Sequence, residues 1–314
     1  MMLYWILIAV AFVVITLVGL LYVCYRMAFY QPRRKQVKAG EEIALPEGEI
    51  YEPFYPIMTQ WAKEARALKK ERFSITTFDG LRLYGTYYEC APNAPIELMF
   101  HGYRGGAERD LAGGVQRCFK LGRSCLLVDQ RCSGDSDGHT ITFGVREHRD
   151  CLCWVDFMCR HFGKDVKIIL TGVSMGAATV LMAAGEELPP NVIGVLADCG
   201  YSSQKTIIKK VIRDLGLPPG ICYPFVKFGA RLFGGFQLEE TTPIKAMETC
   251  KVPVIFFHGE ADAFGPCDMS RELYAACKTR KKLVTVPGAG HGLSYPVEQE
   301  GYLAALGEFF PAEV

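Results

Sequence analysis

Lys167-Ile-Ile-Leu-Thr171 runs into Gly172-Val173-Ser174-Met175-Gly176 and then into Ala177 to Glu187. The first run reads as a buried strand and the last as a helix. A serine between two glycines, placed where a strand turns into a helix, suits a nucleophile elbow. That turn is so sharp that the nucleophile takes strained backbone angles, and only glycine fits beside it without a Cβ clash. It lifts the hydroxyl clear of the sheet and aims the next helix N-terminus at the reaction centre. Glycine and serine are common in loops, so the pattern takes its weight from what surrounds it.

Upstream, Glu52 to Glu71 predicts a helix, with Trp61, Ala65 and Leu68 at helical spacing. Phe73 to Phe78 and Leu81 to Tyr88 then flank Asp79-Gly80, a two-residue hairpin signal. Beyond it, short apolar strands alternate with helical stretches: Ile96 to Phe100, Cys125 to Val128, Lys167 to Leu170, Val192 to Ala197, Val254 to Phe257 and Lys282 to Val286. Arg146 to Phe162 and Asp268 to Lys278 have helical periodicity. An opening hairpin followed by βα repeats predicts an α/β fold, a mostly parallel central sheet with helices on both faces.

In such sheets, chemistry sits at the carboxyl ends of the strands. His101-Gly102-Tyr103-Arg104-Gly105-Gly106, Asp129-Gln130-Arg131, Ser174, His258-Gly259-Glu260-Ala261-Asp262 and Gly288-Ala289-Gly290-His291-Gly292 all fall there. An unassisted serine hydroxyl is a weak nucleophile. It needs a neutral imidazole to take its proton and a carboxylate to hold the tautomer. The order Ser, acid, His required on this kind of sheet is met by Ser174, Asp262 and His291. Asp198 is a rival acid and Glu260 a third candidate. The backbone N–H groups of Met175 and Tyr103 are the expected oxyanion donors. His101 is expected to brace its loop, and Tyr103 and Arg104 to offer side chains for the substrate pocket.

From about Phe73 onward, these five segments in order resemble an α/β-hydrolase, and more narrowly membrane-anchored bacterial members close to the serine-aminopeptidase-like group. Two departures stand out: Cys132, where relatives carry Gly after Asp-x-Arg, and Gly265-Pro266, where Val-Pro is usual. About 50 residues separate Asp198 from the strand near Val252, more than a crossover needs. The excess, 201–250, is expected to be a lid or cap. Its run Ile221 to Phe233 reads either as an acyl-binding cap facing the membrane or as an amphipathic helix burying Phe225, Phe228 and Leu232 on the core, and the second is preferred.

Leu3 to Val23 carries no charge and is long enough to cross a hydrocarbon core of about 30 Å. Tyr4, Trp5, Tyr22, Tyr25 and Tyr30 suit the two interfaces. A cleaved signal peptide would want a basic start and a small-residue cleavage site, and neither is present. Arg26, Arg33, Arg34, Lys35 and Lys38 follow the span, so the positive-inside rule places the rest in the cytoplasm. The 13 cysteines are scattered and odd in number, which suits reduced thiols. The organisation expected is an anchor (1–25), a basic juxtamembrane segment and linker (26–56), and a hydrolase domain (57–314). A formal net charge of +1 gives no reason to expect nucleic acid. No cofactor or metal is implied.

The expected activity is that of a serine hydrolase acting through an acyl-enzyme on a small-molecule acyl substrate, a carboxylic ester first. A peptidase on short peptides, a lysophospholipase or thioesterase, and a non-catalytic binding protein on the same fold are the alternatives.

Overall fold

The structure, a computed structural model, describes residues 1–32 and 42–311. Arg33, Arg34, Lys35, Lys38 and the start of the expected linker at Gly40 lie outside the described residues. Helix α1 (Met2–Ala28) leads, and a short 3-10 turn (Glu52–Phe54) opens α2 (Tyr55–Ala67). The helix expected to reach Glu71 ends sooner. Leu68 is already extended at ψ 150°, and Glu71 pairs across the sheet with Tyr87.

The sheet is built from β1 (Glu71–Thr76), β2 (Arg82–Tyr88), β3 (Ile96–Phe100), β4 (Ser124–Asp129), β5 (Ile168–Val173), β6 (Val192–Asp198), β7 (Val254–Gly259) and β8 (Lys281–Val286). Its order is β1-β2-β4-β3-β5-β6-β7-β8. The hairpin strand β2 runs antiparallel to both its neighbours, and β4 to β8 pair in parallel. The helices α3 (Ala107–Lys120), α4 (Glu147–Phe162), α5 (Met175–Ala184) and α9 (Asp268–Ala276), with α10 (Ser294–Val297) and α11 (Gln299–Phe309), complete the layers. This is the α/β-hydrolase arrangement expected from the sequence.

The inner strands are buried on both faces, so they read as continuous apolar runs. Leu98, Phe100, Leu126 and Leu170 face one core cluster, with Trp154. The intervening Met99 and Leu127 face another with Val115, as strand alternation requires. Glu97 interrupts β3. It is fully buried and is bonded by Arg117, Arg123 (2.9 Å) and Thr171 (2.9 Å). From β3 the chain first adds β4 on one side, then returns to place β5 on the other. The gap between the carboxyl ends of β3 and β5 is therefore the switch point, where such sheets hold their ligands.

Helix α1 has a mean hydropathy of 3.0 over an 18-residue window, none of which is buried in the protein. Its far end is different. Tyr25 and Phe29 are buried, the Tyr25 hydroxyl lies 2.7 Å from that of Thr140, and Tyr30 forms a β-bridge with Thr140.

The segment between β6 and β7 carries α6 (Gln204–Asp214), α7 (Pro219–Phe233) and α8 (Pro243–Thr249). The expectation that Phe225, Phe228 and Leu232 are buried is overturned. Phe228 and Leu232 are each 58% exposed, and Phe225 is half-buried. Helix α7 instead turns Tyr223, Val226, Gly229 and Ala230 inward. The reason is α1, which packs along α7: a Cβ on Gly229 would stand 2.7 Å from the Leu21 carbonyl oxygen. All 13 cysteines are free thiols.

Candidate active site

Ser174 sits between β5 and α5 with φ 57° and ψ −118°, a conformation costly for a residue with a Cβ. Its flanking glycines have steric reasons. A Cβ on Gly172 would lie 2.2 Å from the Gly176 carbonyl carbon, and one on Gly176 would lie 2.0 Å from the Phe100 carbonyl oxygen. The elbow is thus wedged between the helix it starts and the neighbouring strand.

The structure brings Ser174, His291 and Asp262 into one chain of hydrogen bonds. Ser174 Oγ is 2.8 Å from His291 Nε2, and His291 Nδ1 is 2.6 Å from Asp262 Oδ2. Asp262 Oδ1 accepts from the N–H groups of Phe264 (2.9 Å) and Gly265 (2.8 Å). Burial by itself would raise the Asp262 pKa. The hydrogen bonds from His258 and His291 outweigh it and hold the carboxyl well below the usual carboxylate range.

The rival acids go elsewhere. Asp198 is buried and accepts from the hydroxyls of Ser294 and Tyr302, each at 3.0 Å; burial raises its pKa. Its backbone carbonyl accepts from the Ser174 N–H at 2.8 Å, so it steadies the elbow rather than the imidazole. Glu260 accepts from Thr285 at the surface.

Met175 is the first residue of α5, so its N–H belongs to the first turn, which has no intrahelical acceptor. The facing loop is packed against the serine: a Cβ built on Gly102 would stand 3.5 Å from Ser174 Cβ. Asp110 Oδ2 accepts from the Gly102 N–H at 3.2 Å, and a Cβ on Gly105 would overlap that carboxylate at 1.9 Å. His101 braces the loop as expected. Its Nδ1 is 2.8 Å from the Gly102 oxygen, and its Nε2 accepts from the Gln130 N–H at 3.1 Å. The side chains of Tyr103 and Arg104 bond to the end of α1: Tyr103 to the Ala28 carbonyl, Arg104 to those of Met27 and Tyr30. Cys132 takes φ 69°, which explains why glycine suits that place.

A cavity of about 510 Å³ opens above Ser174 and His291. Its wall includes Ile50, Tyr51, Met58, Trp61, Val173, Phe264 and Tyr295. None of 201–250 lines it, which corrects the expected lid. The cover comes instead from 46–51, read from the sequence as linker, which Tyr55 ties down through its hydroxyl to the Pro46 carbonyl at 2.8 Å.

His258, which opens the strand-end segment His258 to Asp262, has a role that the sequence did not assign. Its ring is fully buried, with Nε2 2.6 Å from the Gly265 oxygen and 3.2 Å from Asp262 Oδ2, and Nδ1 2.6 Å from Ser270 Oγ. Its place four residues before Asp262 was the available signal. Cys199, Asp262 and His291 bring one donor atom each within 4.8 Å, the one such cluster among the described residues. Both nitrogens of His291 are already bonded, and burial pushes the Cys199 thiol far up, so this donor set fits a hydrogen-bond relay better than a metal centre.

Comparison with known proteins agrees with this architecture. Residues 98–239 match the family described as alpha/beta hydrolase fold, and residues 200–293 match the family described as serine hydrolase (FSH1). The uncharacterised YqkD of Bacillus subtilis is 27% identical over 190 residues, covering 60% of this chain and 62% of that protein. The uncharacterised YfhR of Escherichia coli is 25% identical over 259 residues, 78% of each chain. Among solved structures, an esterase from Pyrococcus furiosus overlays with a TM-score of 0.65 at 21% identity, covering 89% of this chain and 97% of its own. Est1E of Butyrivibrio proteoclasticus, solved with ferulic acid, gives 0.59 at 22% identity, covering 76% and 97%.

Proposed function

The chain belongs to the α/β-hydrolase superfamily, and from that premise we propose that it is a membrane-anchored serine hydrolase that cleaves carboxylic esters through an acyl-enzyme. The observation that carries this reading is the unbroken relay from Ser174 Oγ to His291 (2.8 Å) to Asp262 (2.6 Å) on a strained elbow. Ser174 Oγ attacks the substrate carbonyl and passes its proton to His291 Nε2. The Asp262 carboxylate stabilises the imidazolium so formed and fixes its tautomer. The N–H groups of Met175 and Tyr103 receive the developing oxyanion, each contributing about 10²–10³ in rate. His291 then protonates the departing alkoxide, and a water activated by the same imidazole releases the acid. The largely apolar cavity wall supports an acyl substrate.

Helix α1 completes the proposal as a retained anchor. Its last turn is part of the fold, with Tyr25 and Phe29 buried, so cleavage there would remove side chains the core encloses. The basic run after the span supports a cytoplasmic domain. Digestion of the domain by protease added to intact cells would overturn that placement.

The test of catalysis is labelling of the full chain in membranes by a fluorophosphonate probe. Wild type is expected to label, and Ser174→Ala and His291→Ala are not. An unlabelled wild type overturns the enzyme reading. Hydrolysis of a panel of esters, measured beside short peptides, then tests the bond cleaved.

A further inference from the structure

We propose that the α6–α7 hairpin is a second membrane contact, seating the outward face of α7 in the headgroup–acyl boundary of the leaflet at the C-terminal end of α1; this rests on α1 being the anchor.

Ile221, Phe225, Phe228 and Leu232 recur at intervals of four, three and four residues, which places them on one face of α7. A soluble helix would bury such a stripe. Here Ile221, Phe228 and Leu232 are 65%, 58% and 58% exposed, and the preceding turn adds Leu215 and Leu217 at 61% and 48%. A monomer that leaves this many large apolar side chains together in water carries an interaction surface.

The position of α7 identifies the occupant. Gly229 touches α1 at Leu21 and Tyr25, and the Phe233 ring lies 5.2 Å from that of Tyr22. These α1 residues close the uncharged stretch, where a spanning helix meets the headgroups. Gly229 and Phe233 stand one position beyond Phe228 and Leu232, about 100° around the helix, so the exposed stripe adjoins the face that grips the anchor. Residues 204–233 also carry six basic side chains (Lys205, Lys209, Lys210, Arg213, Lys227 and Arg231); Lys210 pairs with Asp214 and Lys227 with Glu239, and the segment stays net positive. An apolar stripe with a cationic border fits the surface of an anionic phospholipid bilayer.

The test uses the full chain in vesicles of phosphatidylcholine and phosphatidylglycerol containing a phospholipid with a photoactivatable acyl chain, with labelled residues mapped by mass spectrometry. Label is expected in Leu3–Val23 and in 215–232. The variant Ile221→Asp, Phe228→Asp, Leu232→Asp should lose about tenfold of the second signal while keeping the first. Because those side chains are exposed, its thermal unfolding should match wild type. Replacing phosphatidylglycerol by phosphatidylcholine should weaken only the 215–232 label. Label in α1 without label in 215–232 overturns the docking surface and leaves the anchor. Absence of both overturns the anchor as well. A bifunctional lysine crosslinker added to the same vesicles that joins the α7 helices of two chains, with no lipid label in 215–232, overturns the proposal in favour of a dimer.

Discussion

The Tyr103 hydroxyl donates to the Ala28 carbonyl at 2.9 Å, so the loop that faces Ser174 is fastened to the last turn of the apolar N-terminal helix. The Tyr103 ring also lies 5.0 Å from that of Phe143, which meets Phe29 at 5.7 Å. The end of α1 and the loop therefore share one aromatic cluster. Tyr103→Phe removes the hydrogen bond and keeps the packing. It should lower kcat by about three- to tenfold, the worth of one net hydrogen bond, with KM nearly unchanged. Phe29→Ala should cost about 3–5 kcal/mol in urea unfolding, because it empties a fully buried site. An unaltered unfolding midpoint for Phe29→Ala would mean that α1 is only a tether.

The two buried aspartates should separate cleanly. Asp262→Asn leaves the packing intact but favours the wrong His291 tautomer, and kcat is expected to fall by about 10⁴. Asp198→Asn should keep kcat within about threefold, since its side chain bonds Ser294 and Tyr302 and not the imidazole. Steady-state kinetics on one ester decide it, and the reverse ranking would move the acid to Asp198.

The elbow glycines should be intolerant for steric reasons. Gly176→Ala puts a methyl group against the Phe100 carbonyl, and Gly172→Ala puts one against Gly176. Each should cost about 3 kcal/mol and abolish fluorophosphonate labelling. Gly265→Ala is the control: its Cβ would meet nothing closer than 3.7 Å, and stability should stay within about 0.5 kcal/mol.

Acid should destabilise the fold through Glu97. Burial raises its pKa, but Arg117 and Arg123 overcome this and lower it from 4.5 to about 2. A carboxyl depressed in the folded state stabilises above its unfolded pKa and loses that contribution as pH falls towards its folded value. Unfolding free energy should therefore decline between about pH 4.5 and pH 2, by on the order of 3 kcal/mol from this group. Glu97→Gln is expected to start less stable, with two buried guanidiniums left short of a partner, and to show a flatter acid slope in chemical denaturation. An unchanged slope would assign the acid sensitivity to other carboxylates.

The βα repeat, the elbow and the order Ser174, Asp262, His291 were legible in the sequence because each is local. A buried parallel strand leaves an apolar run, and a sharp strand-to-helix turn leaves Gly-x-Ser-x-Gly. Strand ends are followed by the polar residues they display. The boundary of α2 was misplaced because Leu68 continues the helical spacing, and the pairing of Glu71 with Tyr87 overrides it.

The stripe on α7 shows the same division in another form. Its periodicity correctly announced a helix with one apolar face, but periodicity does not say what the face meets. In the fold, α1 takes the neighbouring side of α7 and Phe228 is left outside. Asp198 and Asp262 both follow strands and are buried, and their hydrogen-bond partners tell them apart: Asp262 meets His291, Asp198 meets Ser294 and Tyr302.

By itself the sequence determined the sheet, the elbow serine, its histidine and an apolar helix long enough to span a bilayer. Those depend on residue type and spacing within single elements. Tertiary structure alone decided that Asp198 turns to Ser294 and Tyr302, that 46–51 rather than 201–250 covers the cavity, and that Ala28 holds the Tyr103 loop. Each of these joins residues far apart in the chain, and such pairings are set by packing, which a local pattern does not encode.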